Sequence, residues 1–238
     1  MRSSPWWYRR RSLVLLVVYF VAFYAGYALT ALYARPVPSI VLIAHALHVE
    51  VRALFWVATA VSFAGFFLRL WGSAYLTAGI VWNPDALQGA LLVDGPFRYM
   101  RNPLYVGNIL LAIAIGSLAP PIGWAIAVAG NAWFTSMLAA HEADGMRRTY
   151  GEVYQRYREA VPAFFPRLRP ASVTGSVRGN PSWIAGLKAE ALMLAFALGM
   201  IVLTMTFDWR IFWAIVIVGW LAQYVLRYQT PRGRAQLF

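Results

Sequence analysis

Apolar and polar positions alternate along this chain in long blocks. Residues 12–33, 53–70, 104–119, 122–140, 187–207 and 211–226 are apolar runs. A helix crossing about 30 Å of hydrocarbon needs about 20 such residues and satisfies its own backbone. Six runs therefore predict an all-α, polytopic membrane helix bundle of about six spans. The first run is long for a signal-peptide core and carries Tyr and Phe throughout, so it reads as a retained span. Pro36 and Pro38 end it, since neither can continue the hydrogen-bond ladder. Pro120-Pro121 separates the third and fourth runs and predicts a central helical hairpin with a tight turn. Asp208-Trp209-Arg210 forms the whole connection between the last two.

Residues 39–50 are apolar but too short to cross alone. They read as an interfacial helix or as an extension of the next span, with His45 and His48 as structural or substrate-pocket residues. Arg69 and Trp71 mark the end of the second run, where an arginine can snorkel to the headgroups. Two polar blocks remain. Residues 71–103 are punctuated by Pro84, Gly89, Gly95, Pro96 and Pro103. Residues 141–169 are basic with helical character, and a Ser/Gly/Pro-containing linker follows at 170–182. The two blocks flank the hairpin, so a chain that folds back on itself brings them together.

Composition agrees with a membrane protein: 61% of the 238 residues are hydrophobic and 13% are charged, about half the charge of a soluble domain. The absence of cysteine excludes disulfides, thiolate metal sites and thiol nucleophiles. The net charge of +12 comes from bases beside apolar runs, which points to anionic lipid headgroups and not to nucleic acid. With the N-terminus in the cytoplasm, 18 of the 21 bases fall on that side, leaving Arg35, Arg52 and Arg210 outside. The positive-inside rule thus predicts that both termini and both polar blocks are cytoplasmic, and the membrane is expected to be a bacterial inner membrane.

Polar chemistry is concentrated in 94–169. The first cluster is Asp94-Gly-Pro-Phe-Arg98-Tyr-Met-Arg101-Asn-Pro-Leu-Tyr105-Val-Gly107. Pro103 suits the first turn of a helix, and a helix start offers unpaired N–H groups to an acceptor. The second cluster is His141-Glu142-Ala-Asp144, in which the two carboxylates do not share a helix face. His141, beside Glu142, is a candidate base. Tyr154 and Tyr157, at i,i+3, share one face of a basic amphipathic helix that ends at Val161-Pro-Ala-Phe-Phe-Pro166.

The stretch 95–107, followed after the hairpin by Glu142 and by Tyr150-Gly-Glu-Val-Tyr-Gln-Arg-Tyr-Arg-Glu-Ala-Val-Pro162, resembles the isoprenylcysteine carboxyl methyltransferase family. That family is related to the phospholipid N-methyltransferases. Leu68-Arg-Leu-Trp71 also fits its pattern. The resemblance implies a methyltransferase core at 65–169, preceded by membrane spans at 1–64 and followed by a linker and two spans at 170–238. It further implies a cytoplasmic C-terminal catalytic helix segment. The activity implied is methyl transfer from S-adenosyl-L-methionine to a lipophilic acceptor reaching the enzyme from the bilayer.

Carried over by position, the cofactor-binding set is Gly89, Ala90, Leu91, Leu92, Phe97, Asn102, Pro103, Leu104, Tyr105 and Glu142. His141, Glu142 and Arg101 are the catalytic candidates. The pattern departs at Asn102, where the family has His, at Phe97, where it often has Tyr, and at Ala143, where it has a second Glu. At Leu138 the prenylcysteine enzymes carry an arginine for the substrate carboxylate. A buried carboxylate needs a paired charge, so the acceptor is expected to be a lipid or isoprenoid carboxylate, amine or hydroxyl other than prenylcysteine. An NADPH-dependent sterol-type reductase shares the Tyr-Gly…Tyr…Tyr…Val-Pro pattern and is the first alternative. A membrane transporter or non-catalytic scaffold is the second.

Overall fold

The computed structural model describes residues 5–81 and 91–228. Its helices are α1 (Trp6–Arg9), α2 (Arg11–Ala31), α3 (Ser39–Leu47), α4 (Val51–Val81), α5 (Pro103–Gly116), α6 (Pro121–Ala160), α7 (Trp183–Ala189), α8 (Ala191–Thr206) and α9 (Trp209–Tyr228). A 3₁₀ turn at Gly95–Arg98 precedes α5. The strand content among the described residues is one two-residue parallel pair, β1 (Leu91–Leu92) with β2 (Ser176–Val177). The protein is an all-helical integral membrane bundle. Among the described residues four helices are long and apolar enough to cross a membrane: Arg11–Ala31, Val51–Leu76, Pro121–Ala160 and Trp209–Leu226. The α7–α8 pair passes the same test as one bent element.

Helix α4 is the centre of the bundle, packing against α5, α7 and α8, while α2 lies along α6 and α8 along α9. One core joins Ile40, Phe55, Leu118, Met200, Leu203 and Phe212 across α3, α4, α8, α9 and the α5–α6 turn. The α2–α6 crossing is close because glycines meet: a Cβ on Gly26 would stand 2.8 Å from Gly123 Cα, and one on Gly123 would run into the Ala22 carbonyl. Gly123→Val is therefore expected to destabilise the bundle by about 1–3 kcal/mol through overpacking. Gly145→Ala, where a Cβ meets nothing within 4 Å, should be neutral or mildly stabilising. Thermal unfolding in one detergent distinguishes the two.

Three elements depart from the sequence expectations. Helix α4 does not stop at Arg69 and Trp71 but continues to Val81, because Arg69 is paired inside the bundle and does not reach for headgroups. The fourth run and the polar helix after it form one 40-residue helix, α6, with non-helical dihedrals at Gly151 (φ 52°, ψ −123°). Only a glycine takes that conformation without strain. The fifth run is broken at Glu190, where α7 and α8 meet at 73°. Backbone groups freed by a break in lipid must find partners, and Gln223 of α9 supplies them. Its Oε1 accepts from Leu192 N–H at 2.9 Å, and its Nε2 donates to the Ala189 carbonyl.

Residues 39–47 form a helix of their own, separate from α4. Ser39 fastens it to the hairpin turn, its N–H and hydroxyl both donating to the Ala119 carbonyl at 2.8 and 2.7 Å. His45 and His48 are exposed, and their helix is tied to the far end of α5, roughly 20 Å from its start at 1.5 Å per residue. The structure therefore places them at the opposite end of α5 from Pro103.

Candidate functional site

The site is assembled where the loop before α5 meets the chain leaving α6. Asp94 opens the loop: its Oδ1 accepts from Gly95 N–H at 2.8 Å and its Oδ2 from Gly179 N–H at 3.3 Å. From there the loop is joined to 160–171 by backbone hydrogen bonds. Arg101 N–H donates to Pro162 O at 2.9 Å, Asn102 N–H to Ala163 O at 3.1 Å, Arg167 N–H to Tyr99 O at 3.0 Å and Ala171 N–H to Arg98 O at 2.9 Å. Arg98 Nε adds a bond to the Ala171 carbonyl at 2.9 Å. Leu91, Val93, Tyr154, Tyr157, Val161, Ala171 and Val173 form a small apolar core beneath this seam. The two polar blocks of the sequence are thus in contact.

Within this frame Tyr105, on the first turn of α5, donates to Glu142 Oε1 at 2.8 Å. A second phenol, Tyr8 of α1, reaches the same oxygen at 3.1 Å. The Tyr8 ring lies 4.6 Å from that of His141, and Trp7 sits edge-on to His141 and Phe134 at 5.3 and 6.4 Å. Arg11 stands over the outer face of Tyr8, 5.0 Å from its centroid. Burial, and then the neighbouring Glu142 carboxylate, push the Tyr8 phenol above its ordinary range, so it stays a neutral donor. The N-terminal aromatic segment therefore covers Glu142 and His141. A contact across 134 positions has no local signature.

The other anticipated residues divide. Arg101 turns toward α6, where Nη1 donates to Tyr154 Oη at 3.4 Å, while its Nε is buried with no hydrogen-bond partner among the described residues. Tyr157 donates to the Phe97 carbonyl at 2.9 Å. Leu91 is buried, and Leu92 lies beside Gly179. Gly89 and Ala90 lie outside the described residues.

Most N–H groups at the start of α5 are already spent. Asn102 spends its N–H and its Nδ2 on the Ala163 carbonyl, and the N–H groups of Tyr105 and Val106 return to the Asn102 carbonyl. The loop itself uses these donors to hold its seam. Leu138 is buried, with 1% of its surface exposed, and lies one turn before Glu142, so that approach to the carboxylate is apolar.

Two poles result. Glu142, with two phenols and an imidazole ring around it, can hold a hydroxyl or ammonium group. Arg101, with an unspent buried N–H, can hold an anion. Their partners on α6, Glu142 and Tyr154, are twelve positions apart, with the break at Gly151 between them. The four residues from Arg101 to Tyr105 span at most about 14 Å.

No protein-family model matches the chain, and no solved structure gives a significant match. Over 161 residues it is 26% identical to the cobalt-zinc-cadmium resistance protein CzcN of Cupriavidus metallidurans, covering 64% of this chain and 71% of that protein. Over 119 residues it is 30% identical to the nickel-cobalt-cadmium resistance protein NccN of Alcaligenes xylosoxydans xylosoxydans, covering 48% of this chain and 55% of that one. Both similarities are to proteins named for metal resistance.

Proposed function

We propose that this chain transfers the methyl group of S-adenosyl-L-methionine to a lipophilic acceptor drawn from the bilayer. The observation that carries the reading is the Tyr105–Glu142 hydrogen bond. It joins the two segments whose ordered motifs resemble the membrane methyltransferases, across the hairpin that separates them. The residues present fit such a cofactor at both ends. The unsatisfied Arg101 Nε is suited to the methionyl carboxylate, and Glu142 to the ribose hydroxyls or the ammonium group. The bound sulfonium supplies an activated methyl group, and aromatic faces favour a cation beside them.

The protein's own part is to orient two reactants and keep water away. Tyr8 and Trp7 shield the Glu142 side, and Leu138 keeps the approach from α6 apolar. An amine or hydroxyl acceptor must give up a proton, and the His141 imidazole beside Tyr8 is the group placed to take it. Leu138 offers no charge for a prenylcysteine carboxylate, which favours another acceptor. Taken with α5 and the bent α7–α8 pair as one crossing each, the bundle has six spans. Charge asymmetry puts both termini and the site on the cytoplasmic side of a bacterial inner membrane.

The relatives' names favour a second reading, handling of divalent cations in the membrane. Among the described residues no three His, Asp or Glu side chains converge as metal ligands would. Glu190, the acid inside the bundle, is already neutralised by Arg69. Equilibrium binding to detergent-solubilised protein tests the readings together. Saturable binding of S-adenosyl-L-methionine, with transfer of labelled methyl into a membrane lipid extract, is expected. Binding of NADPH, or of zinc or cobalt, without that of S-adenosyl-L-methionine would overturn the proposal.

A further inference from the structure

The Leu68-Arg-Leu-Trp71 stretch takes no part in the chemistry above, yet Arg69 is tied into three elements. Its Nε and Nη2 donate to Glu190 Oε2 and Oε1 at 2.6 and 3.0 Å, a two-pronged pair at the α7–α8 break. Ser73 also donates to that carboxylate. The remaining nitrogen, Nη1, faces α5, donating to Asn108 Oδ1 at 2.6 Å and to the Leu104 carbonyl at 3.3 Å. The pair is buried: the side chains of Arg69 and Glu190 are 14% and 3% exposed.

The helices are shaped to admit this arginine. A Cβ on Gly107 would collide with Arg69 Cγ, and one on Gly65 would come within 2.9 Å of the Gly107 carbonyl. Neutralising Glu190 needs only the fork. The third nitrogen therefore does something separate, and its target decides what. The Leu104 carbonyl belongs to the same rigid peptide plane as the Tyr105 N–H. Holding that oxygen sets the backbone from which Tyr105 reaches Glu142 at 2.8 Å. A displacement of about 1 Å would take that contact out of the range in which an O–H···O bond keeps its strength.

We propose that Arg69 is a positioning residue for the Glu142 site: it joins the α7–α8 break to the first turn of α5 and sets where Tyr105 meets Glu142. Its consequence for cofactor affinity rests on the methyltransferase reading; its geometric part does not. The test is the paired substitution Arg69→Met with Glu190→Met, which removes both charges and keeps the volume apolar. Three quantities are measured: the unfolding temperature, the Kd for S-adenosyl-L-methionine, and the infrared carboxyl band of Glu142, assigned by its loss in Glu142→Gln.

Expected are an unfolding temperature near that of the unaltered protein, a shifted Glu142 band, and affinity roughly tenfold weaker, as for one charge-assisted hydrogen bond misplaced. Leu203→Ala, a core truncation away from α5, should lower stability without moving the band. A band unmoved in the paired variant, or moved equally in Leu203→Ala, would make the ion pair structural only and overturn the proposal. If the paired variant does not fold, Asn108→Leu loosens the α5 side while leaving the ion pair, and the same band decides. Should the unaltered protein bind no S-adenosyl-L-methionine, the functional reading fails while the band still judges Arg69.

Discussion

Glu142→Gln is expected to weaken S-adenosyl-L-methionine binding by roughly 10- to 100-fold, the range for loss of a charge-assisted hydrogen bond worth about 1.5–3 kcal/mol. The ionised carboxylate that accepts from Tyr105 and Tyr8 offers acceptors on both oxygens and no donor. An amide keeps one acceptor oxygen but replaces the other with donors. One face of the side chain then meets phenol hydroxyls donor to donor, or turns its N–H₂ toward the ligand. Tyr105→Phe should cost less, about 0.5–1.5 kcal/mol, because Tyr8 still partners the carboxylate. Isothermal titration of both variants and of the double variant measures the coupling between them. Unchanged affinity in both single variants would place the cofactor elsewhere. Unfolding temperatures close to that of the unaltered protein are expected for each, since Glu142 is only half-buried.

The largest effect on stability is expected at Glu190. Glu190→Ala strands the Arg69 guanidinium inside the bundle, and breaking a buried pair from one side costs about 3–5 kcal/mol. The loss is compounded locally, because Ser73 also donates to the missing carboxylate. Replacing both charges by apolar side chains of similar volume should recover most of this, since a buried pair compared with well-packed apolar groups is often near neutral. Thermal unfolding in detergent of the single and paired variants therefore gives opposite outcomes from the same site. A Glu190→Ala protein as stable as the original would show that Arg69 finds water or headgroups after all.

Much of this is legible in the sequence. Proline and charge positions marked the hairpin at Pro120-Pro121 and the short turn at Asp208 correctly, because they report backbone constraints that act locally. The association of the loop at 94–102 with the segment after α6 followed from the hairpin between them. The role read for Arg69 failed for the same local reason. Next to an apolar run, an arginine that reaches the headgroups and one paired inside the bundle look alike in sequence. Its partner lies 121 positions away. The break at Glu190 went unread with it, since the helix bends where its carboxylate turns toward Arg69. Tyr8 was invisible for want of any pattern linking it to Glu142.

The sequence by itself determined that this is an all-helical membrane protein, which stretches are apolar, and that its polar chemistry is gathered in 94–169. Those properties follow from composition and from the need of every backbone group in lipid for a partner within its own helix. Only the tertiary structure decided which charges meet. It paired Arg69 with Glu190, brought Tyr8 and Tyr105 to one oxygen of Glu142, and left a buried nitrogen of Arg101 unspent. Such contacts depend on how helices cross, which is set by side chains far apart in the chain.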